Sequence, residues 1–317
     1  MSQPATSAIE VVNLSHAFGS RWAVRNASFQ VRQGALHGFV GPNGAGKTTT
    51  LKSICTLLIP HSGTIRVLGL DVVAQTNEVR RRLGFMPDHF SMYRRMTVFE
   101  YLDFFAAAYG IPMIQRDKVI DEVLTLTDMD GRREELVGGL SRGMQQRVAL
   151  SRVLVSDPDV LLLDEPASGL DPRARIELME ILRELQRMGK TIFISSHILS
   201  ELAELCDSVT IIDAGRIKYS GSISGLLKRP TEHAGFRVGV APGSPDLTER
   251  ISALPGVLQA MRLDSSHEYR VEMVARPESG NQLLQGLISL GVCVSSFGED
   301  RRHLNEAFMD LTTGGVG

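Results

Sequence analysis

The chain has 317 residues, enough for two domains, and its 43% hydrophobic and 22% charged residues are ordinary for a globular protein. The formal net charge of −2 excludes a global electrostatic attraction to nucleic acid or anionic membranes. No apolar run could span a bilayer, and residues 1–10 lack the pattern of a secretory signal. The three cysteines, Cys55, Cys206 and Cys293, fit neither a metal site nor a disulfide pattern, which favours a reducing cytoplasm.

The beginning of the chain is expected to be mainly β-structure. Two short runs, Ile9–Leu14 and Ala27–Val31, alternate roughly between apolar and polar residues and predict two strands. The turn between them carries two aromatic residues, Phe18 and Trp22. A third, largely apolar run at Ala35–Val40 predicts another strand.

A glycine-rich segment follows this strand and opens a helix predicted at Thr48–Leu58. It fits the pattern G-x-x-x-x-G-K-[ST] with the residues Gly41, Pro42, Asn43, Gly44, Ala45, Gly46, Lys47, Thr48 and Thr49. Glycines let the backbone curl so that N–H groups point at phosphate oxygens, and the helix amino terminus adds its dipole. Lys47 supplies a charge for the phosphates, and the Thr48 hydroxyl can ligate Mg²⁺. The segment therefore predicts a nucleotide site rather than a chance glycine-rich turn.

The next segment combines short strands with a basic helix. A strand is predicted at Gly63–Leu68, a helix near Val79–Leu83, and a further strand at Gly84–Asp88 that ends in a loop. The run Arg80–Arg82 is interpreted as a solvated helix face, because it lacks the interleaved aromatic residues of a nucleic-acid contact.

Residues 97–140 are predicted to be mostly helical. Thr97 can cap a helix with Glu100 three residues later, which is the spacing of a capping box. A second helix is predicted at Asp117–Thr127.

Two acidic residues mark a candidate catalytic position. A glycine-bearing loop at residues 138–144 opens a helix at Gln145–Val155, and the apolar strand Val160–Leu163 follows. Asp164 and Glu165 come directly after this strand. A carboxylate there, beside the phosphate loop, suits Mg²⁺, so Asp164 is expected to hold the metal. Glu165 is expected to point the other way if the strand continues, and to polarise the attacking water.

The following segment alternates helices with strands, which implies a parallel sheet with helices on both faces. A helix is predicted at Pro172–Met188, and a buried strand at Thr191–Ile194 precedes His197. Another strand at Val209–Ile212 leads into a short hairpin at residues 213–215.

A boundary is predicted near Lys228–Ala234, where proline marks a loop. Beyond it, the order βαββαβ would suit a small ferredoxin-like α+β domain. Its predicted elements are Phe236–Val240, Asp246–Leu254, Val257–Leu263, Tyr269–Val274, Asn281–Leu290 and Val292–Phe297. A last helix is expected at His303–Leu311.

Over residues 8–222 the ordered motifs resemble the nucleotide-binding subunit of an ATP-binding cassette (ABC) transporter. They are the phosphate loop 41–49, the loop at Asp88, the signature 140–144, the acidic strand 160–165, the D-loop Ser168-Gly169-Leu170-Asp171, and His197. The resemblance implies an α/β P-loop NTPase (ABC ATPase) core in residues 1–228 and an accessory α+β domain in 229–317. A helical signature subdomain is expected at about residues 89–156. A lone cassette with such an extension is similar to the ATPase subunits of ABC-2-type drug and polysaccharide exporters.

The resemblance also implies a site shared between two cassettes. The expected trans signature is Leu140, Ser141, Arg142, Gly143 and Met144. Its loop ends at a helix amino terminus, which is another anion site. In the family it binds the γ-phosphate of ATP held by the opposite subunit, through Ser141 and the Gly143 N–H here. One chain would therefore lack half of its site, and a homodimer or a pair of cassettes would sandwich two nucleotides.

Further roles follow from the resemblance residue by residue. The catalytic residues would be Glu165, His197 and Lys47, with His197 contacting Glu165 and the γ-phosphate, and the Mg²⁺ ligands Thr48, Asp164 and Asp88. Phe18 aligns with the aromatic residue that stacks on adenine, a role that needs only a π-face. Trp22 is its rival, and a packing role for either residue is about equally plausible.

Two departures from the family pattern affect the site. The family usually has Gln where this chain has Asp88, and a carboxylate there adds negative charge beside the phosphates. The usual signature Leu-Ser-Gly-Gly-Gln is replaced by Leu-Ser-Arg-Gly-Met. Met144 forms no strong hydrogen bond, whereas Arg142 adds a cation. We therefore expect both sites to be active but slow.

The favoured function is the ATP-driven motor of an exporter, acting through a separate polytopic membrane (permease) subunit at the cytoplasmic face of the membrane. The alternative is a soluble ABC-type ATPase acting on ribosomes or DNA, but such relatives generally carry two cassettes or zinc-binding insertions. A GTPase is disfavoured because the guanine-reading Asn-Lys-x-Asp is absent. No nucleic-acid partner is expected. The intact Lys47, Asp164, Glu165 and His197 argue against a regulator without hydrolysis.

Overall fold

The computed structural model describes residues 7–89, 91–198, 202, 205–227, 233–241, 244–263 and 267–300. These residues form two compact units that divide between Ile223 and Ser224. The predicted domain limit at residue 228 and the predicted terminal helix His303–Leu311 lie outside the described residues.

An antiparallel sheet of four strands lies in the first unit. Its strands are β1 (Ser7–Phe18), β2 (Arg21–Arg32), β4 (Ser62–Val67) and β5 (Leu70–Asp71), in the order β2-β1-β4-β5. The sequence predicted only a parallel sheet for this unit, so this second sheet is an addition to the expected architecture.

The β1–β2 hairpin is much longer than the sequence predicted. Pairing runs past the predicted end at Leu14 and the predicted start at Ala27, and it reaches Phe18 at the turn. Asn13 and Asn26 both have positive φ, at 51° and 50°, and the register shifts in this region. Such bulges interrupt the two-residue alternation on which strand prediction depends.

The larger sheet of the first unit carries the site. Its strands are β3 (Leu36–Val40), β6 (Leu83–Met86), β7 (Val160–Asp164), β8 (Thr191–Ser196), β9 (Ser208–Asp213) and β10 (Arg216–Ser222). They lie in the order β10-β9-β3-β8-β7-β6, and all neighbours are parallel except the β9–β10 hairpin. β3, β7 and β8 are buried along their whole length, as expected for strands covered on both faces. The predicted parallel sheet is confirmed.

The helices of the first unit connect and cover these strands. They are α1 (Lys47–Ile54), α2 (Thr76–Arg82), α3 (Val98–Ala108), α4 (Met113–Leu126), α5 (Arg142–Leu154) and α6 (Pro172–Arg187). The short α7 (Ile223–Leu227) begins where the two units divide. α3, α4 and α5 share an apolar cluster in which Tyr101 and Leu102 are fully buried.

The helical segment matches the predictions in part. The capping box of Thr97 and Glu100 at the start of α3 is confirmed. Residues 97–140 are mostly helical, as predicted, but the α-helices end at Leu126, and residues 127–141 contain two short 3-10 turns and an isolated β-bridge at Leu136. Asp128 takes a positive φ of 54° just after α4, which prevents the helix from continuing. α5 starts earlier than predicted, because the Ser141 hydroxyl accepts a bond from the Met144 N–H and caps the helix.

The second unit has the predicted βαββαβ order. Its elements are β11 (His233–Val240), α8 (Thr248–Ser252), β12 (Val257–Arg262), β13 (Glu268–Val274), α9 (Ser279–Ser289) and β14 (Val294–Glu299). The strands form one antiparallel sheet in the order β12-β13-β11-β14. Phe236 and Tyr269 on the sheet pack with Leu283 and Leu287 on α9 in its core.

A buried histidine in β3 predicts how the stability of the first unit depends on pH. His37 is 1% exposed, its ring nitrogens lie 2.8 Å from the hydroxyls of Ser208 and Thr210, and its ring stacks on Phe193. Burial lowers the pKa of His37 to about 3. An unfolded chain has its histidine pKa near 6.5, so it binds more protons than the folded chain between these values. Stability is therefore lost as the pH falls from about 6.5 towards about 3.

The substitution His37→Gln keeps hydrogen-bonding groups but removes the titration, so we expect about 2.7 kcal/mol of the stability lost between about pH 7.5 and about pH 4.5 to be retained. The measurement is the midpoint of urea unfolding at about pH 7.5 and about pH 4.5. Unfolding is monitored by the fluorescence of Trp22, the one tryptophan of the chain. His89→Gln is the matched control, because the His89 side chain is 93% exposed. Equal losses of stability in native protein and His37→Gln would contradict the prediction.

Candidate nucleotide site

The glycine-rich loop lies between β3 and α1, where the sequence placed it. Gly46 has a φ of 106°, and a Cβ there would lie 2.5 Å from the Ala23 carbonyl oxygen. A Cβ on Gly41 would lie 2.2 Å from the Ile212 carbonyl oxygen. Backbone from neighbouring strands therefore fills the space that side chains would need, so glycine is required at both positions. The tight loop leaves the amino terminus of α1 at its centre, where an anion is stabilised.

Lys47, the first residue of α1, is held across this loop. Its Nζ donates to the Gly41 carbonyl at 2.7 Å and approaches the Pro42 carbonyl at 3.4 Å. The same Nζ forms an ion pair with Glu165 Oε1 at 3.3 Å. The side chain is almost fully buried. These contacts fix the position of the one positive charge that the loop itself provides.

The hydroxyl of Thr48 and the carboxylate of Asp164 lie side by side. Thr48 Oγ1 donates to Asp164 Oδ2 at 3.0 Å, and Ser195 Oγ donates to Asp164 Oδ1 at 2.5 Å. Hard oxygen donors of this kind suit Mg²⁺, which is usually bound by one or two carboxylates together with phosphate oxygens and water. Within the described part of the chain, no group of three His, Cys, Asp or Glu residues could hold a metal alone. The oxygen pair therefore fits Mg²⁺ only in combination with a phosphate ligand.

Asp88 reaches the same region with a different partner. It lines the cavity above the loop, and its Oδ2 lies 2.9 Å from Nδ1 of the exposed His89. No hydrogen bond joins Asp88 to Thr48 or Asp164 among the described contacts. Asp88 is thus placed beside the candidate metal position rather than within the pair of oxygen donors.

Glu165 leaves the strand at a sharp turn. The expectation that Glu165 points away from Asp164 assumed that the strand continues. Instead, β7 ends at Asp164, and Glu165 has a positive φ of 49°. Its N–H donates to Ser195 Oγ at 3.0 Å. Its carboxylate lies between two partners, Lys47 and His197, with His197 Nδ1 at 2.8 Å from Oε2. A non-glycine residue held in this conformation at the end of a buried strand is typical of a functional position.

A cavity of about 430 Å³ opens above the loop. It is lined by Phe18, Arg21, Ala23, Asn43, Gly44, Gly46, Lys47, Thr48, Thr49, Asp88 and Glu165. Phe18 is 58% exposed, and Trp22, 44% exposed, does not line the cavity. Arg21 was not identified from the sequence, although it pairs directly with Phe18 across the hairpin. Arg21 could have been identified as a site residue if the register of β1 and β2 had been known from the sequence.

The signature residues form a separate surface. Ser141 caps α5, Leu140 is buried, and Met144 packs against the apolar cluster of α3, α4 and α5. A second cavity of about 510 Å³ adjoins Ser141, Gly143 and Met144, and it shares no lining residue with the cavity above the loop. The loop and the signature therefore do not meet within one chain.

Arg142 is directed to the D-loop. Its Nη2 donates to the Ser168 carbonyl at 3.0 Å, and a Cβ on Gly169 would lie 2.7 Å from its guanidinium carbon. The D-loop ends at Asp171, whose carboxylate accepts a bond from the Ala174 N–H at 2.9 Å and caps α6. The cation predicted near the signature is thus already engaged with the D-loop of its own chain.

Comparison with known proteins gives consistent results. A family model described as ABC transporter matches residues 24–168. The Nod factor export ATP-binding protein I of Rhizobium sp. (strain N33) is 33% identical over 96% of this chain and 97% of that protein. The protein of the same name from Burkholderia lata is 39% identical over 69% of this chain and 72% of its own length. The ABC transporter ATP-binding protein NatA of Bacillus subtilis is 41% identical over 64% of this chain and 83% of its own length.

Solved structures show the same relationship. The ATP-binding subunit of an ABC transporter superposes with a TM-score of 0.62 at 30% identity, covering 69% of this chain and 92% of that one. CbiO1 of Clostridium perfringens, part of the transporter complex CbiONQ, gives 0.64 at 27% identity, covering 70% of this chain and 90% of its own. No helix among the described residues is long and apolar enough to cross a membrane. The chain therefore belongs to the ATP-binding subunits of ABC transporters, a family of ATP-hydrolysing cassettes with the P-loop NTPase fold.

Proposed function

We propose that the chain powers export through a separate polytopic membrane subunit, bound at the cytoplasmic face of the membrane. The observation that carries this proposal is the match to a Nod factor export ATP-binding protein over 96% of this chain and 97% of that protein. The match extends beyond the cassette into the carboxyl-terminal unit, which distinguishes these proteins from shorter cassettes. We retain residues 1–228 as the cassette, with its helical subdomain at about 89–156, and residues 229–317 as an accessory domain.

Nucleotide binding is assigned to the cavity above the glycine-rich loop. The loop N–H groups, the amino terminus of α1 and the Lys47 ammonium bind the phosphates, and the exposed face of Phe18 stacks on adenine. Thr48 and Asp164 would hold Mg²⁺, with Asp88 as a further ligand. When bound, Mg²⁺ supplies neutralisation of the phosphate charge.

Glu165 and His197 are assigned to hydrolysis. Glu165 would accept a proton from the attacking water; Lys47 and His197 hold its carboxylate, and Ser195 Oγ accepts a hydrogen bond from its backbone N–H. His197 directly follows β8, and its contact with Glu165 supports a role for it at the γ-phosphate of bound ATP. Hydrolysis in this arrangement depends on positioning and charge neutralisation rather than on a covalent intermediate.

We propose that two cassettes complete each other's sites. Within one chain the signature and the phosphate loop line different cavities, so Ser141 and the Gly143 N–H can bind a phosphate only across a dimer. A dimeric bacterial ABC transporter cassette shares the fold, with a TM-score of 0.61 at 24% identity. ATP binding would close the two cassettes and hydrolysis would reopen them. The membrane subunit would convert this movement into transport.

The membrane partner is tested by affinity purification of this chain from detergent-solubilised membranes. We expect a stoichiometric polytopic membrane protein and ATP turnover by the complex. Recovery of ribosomal or DNA-repair proteins without a membrane partner would overturn the exporter proposal and favour the soluble-ATPase alternative.

Replacing Glu165→Gln should reduce ATP turnover by about 100-fold or more, because the amide cannot act as a general base. Nucleotide binding should persist, since Lys47 and the loop remain. The control is Glu180→Gln on the exposed surface of α6, for which turnover should match the native protein. Turnover within about twofold of native for Glu165→Gln would remove Glu165 from the proposed mechanism.

The two departures from the family pattern should slow turnover. Asp88→Gln removes a negative charge from the cavity and should raise turnover about fivefold, corresponding to about 1 kcal/mol of charge repulsion. Asp159→Asn, just before the opposite end of β7, is the matched control. Met144→Gln restores a hydrogen-bonding group and should also change turnover. Unchanged turnover in both Asp88→Gln and Met144→Gln, with the proteins folded, contradicts the proposal that both sites are slow.

A further inference from the structure

Two histidines form a pair beside the cavity. His16 lies near the end of β1 and His61 immediately precedes β4. Their Nδ1 atoms are 3.1 Å apart, and their ring centroids are 4.5 Å apart. His16 is 6% exposed, whereas His61 faces solvent. The pair is not part of the phosphate loop, the acidic strand or the signature, so the functions assigned above do not use it.

The backbone determines which nitrogen carries the proton. The Ala17 N–H points at His61 Nδ1, 3.4 Å away, so that nitrogen is an acceptor. His16 Nδ1 must then carry the hydrogen that it donates to His61. The backbone N–H of His61 donates to the Ser15 carbonyl at 3.0 Å, which fixes the second histidine relative to β1. This arrangement requires a neutral His61, because a proton on its Nδ1 would remove both bonds.

The ring of Phe18 packs against His16 of this pair. It meets the His16 ring edge to face, with centroids 4.8 Å apart and an angle of 69°. The ring is 58% exposed and lines the cavity. His16 is the one aromatic ring that contacts Phe18 among the described residues. An exposed aromatic side chain is otherwise only weakly restrained. The contact with His16 therefore determines how the exposed face of the Phe18 ring is oriented in the cavity.

We propose that the neutral His16–His61 pair positions Phe18 for adenine, and that protonation of the pair weakens adenine binding without affecting the phosphate site. This inference rests on the proposed role of Phe18. His16 and His61 would be positioning residues, since neither reaches the phosphate loop.

The electrostatic surroundings favour the neutral pair at neutral pH. Burial and the neighbouring His61 lower the pKa of His16, and the Ile59 carbonyl opposes them to a smaller extent. His61 is the titratable group that acts on His16, and Trp22 is the other ring near His61, at 6.3 Å. A proton added between the two Nδ1 atoms would replace their hydrogen bond by N–H groups that face each other, so the pair is disrupted under acidic conditions.

The test separates adenine binding from phosphate binding. Calorimetry would give the dissociation constants of MgADP and of magnesium pyrophosphate, which has the same number of phosphates but lacks adenine, at about pH 8 and about pH 5. The phosphates of both ligands titrate in this range, so the ratio of the two constants isolates the adenine contribution. In native protein we expect the preference for MgADP over pyrophosphate to fall roughly fivefold at the lower pH, a typical stacking effect.

Two variants distinguish positioning from a merely structural contact. His61→Asn keeps an acceptor near the Nδ1 position but cannot be protonated, so its preference for MgADP should stay at the native high-pH value at both pH values. His61→Leu removes the acceptor and should show the reduced preference at both. A nearby imidazolium quenches tryptophan fluorescence. The fluorescence of Trp22 should therefore decrease as the pH is lowered in native protein and remain constant in His61→Asn.

Other results would overturn the inference. A preference for MgADP with the same pH dependence in native protein and His61→Asn would show that the pair does not position Phe18. If Phe18→Ala leaves the preference unchanged, Phe18 is not the adenine platform, although ATP binding by the loop still stands. If native protein binds neither ligand, the proposed nucleotide site fails together with the inference.

Discussion

The site depends most on the hydroxyl of Ser195, which joins the ends of two neighbouring parallel strands. Its Oγ donates to Asp164 and accepts the Glu165 N–H, at 2.5 and 3.0 Å. One buried hydroxyl therefore orients the carboxylate that meets Thr48 and stabilises the left-handed turn that directs Glu165 towards Lys47. β7 and β3 are not direct neighbours, so Ser195 on the strand between them adds a side-chain link from both acidic residues towards the phosphate loop.

The charges around the loop support the proposal that a metal ion binds there together with the phosphates. Asp164, Glu165 and Asp88 bring three carboxylates to the region, whereas Lys47 is buried among them and Arg21 lies at the rim. Carboxylates this close to a phosphate would repel it unless a metal ion balanced the charge. The same arrangement keeps Glu165 paired with Lys47 and His197, so its charge is held by two partners rather than by solvent.

The sequence predicted the parts of the site that local patterns encode. The phosphate loop, the acidic end of β7 and His197 each follow a strand that is apolar over most of its length, so their position at one edge of the sheet could be deduced. Arg21 and the His16–His61 pair could not, because the bulges at Asn13 and Asn26 hide the register that places Arg21 at the cavity and His16 beside Phe18. The antiparallel sheet was missed for the same reason. The contact of Arg142 with Ser168 joins residues far apart in sequence and depends on the packing of α5 against α6.

This last contact gives a physical basis for communication between two cassettes. Arg142 lies at the start of the signature helix and is bonded to Ser168 of the D-loop, while the Ser168 N–H donates to the Glu165 carbonyl at 3.0 Å. Gly169, with a φ of 69°, leaves no side chain between the guanidinium and the loop. In the proposed dimer, a phosphate that binds the signature of one chain would act on Arg142. Ser168 therefore links Arg142 to the backbone of Glu165 through two hydrogen bonds, and in the proposed dimer this link would lie between the two sites.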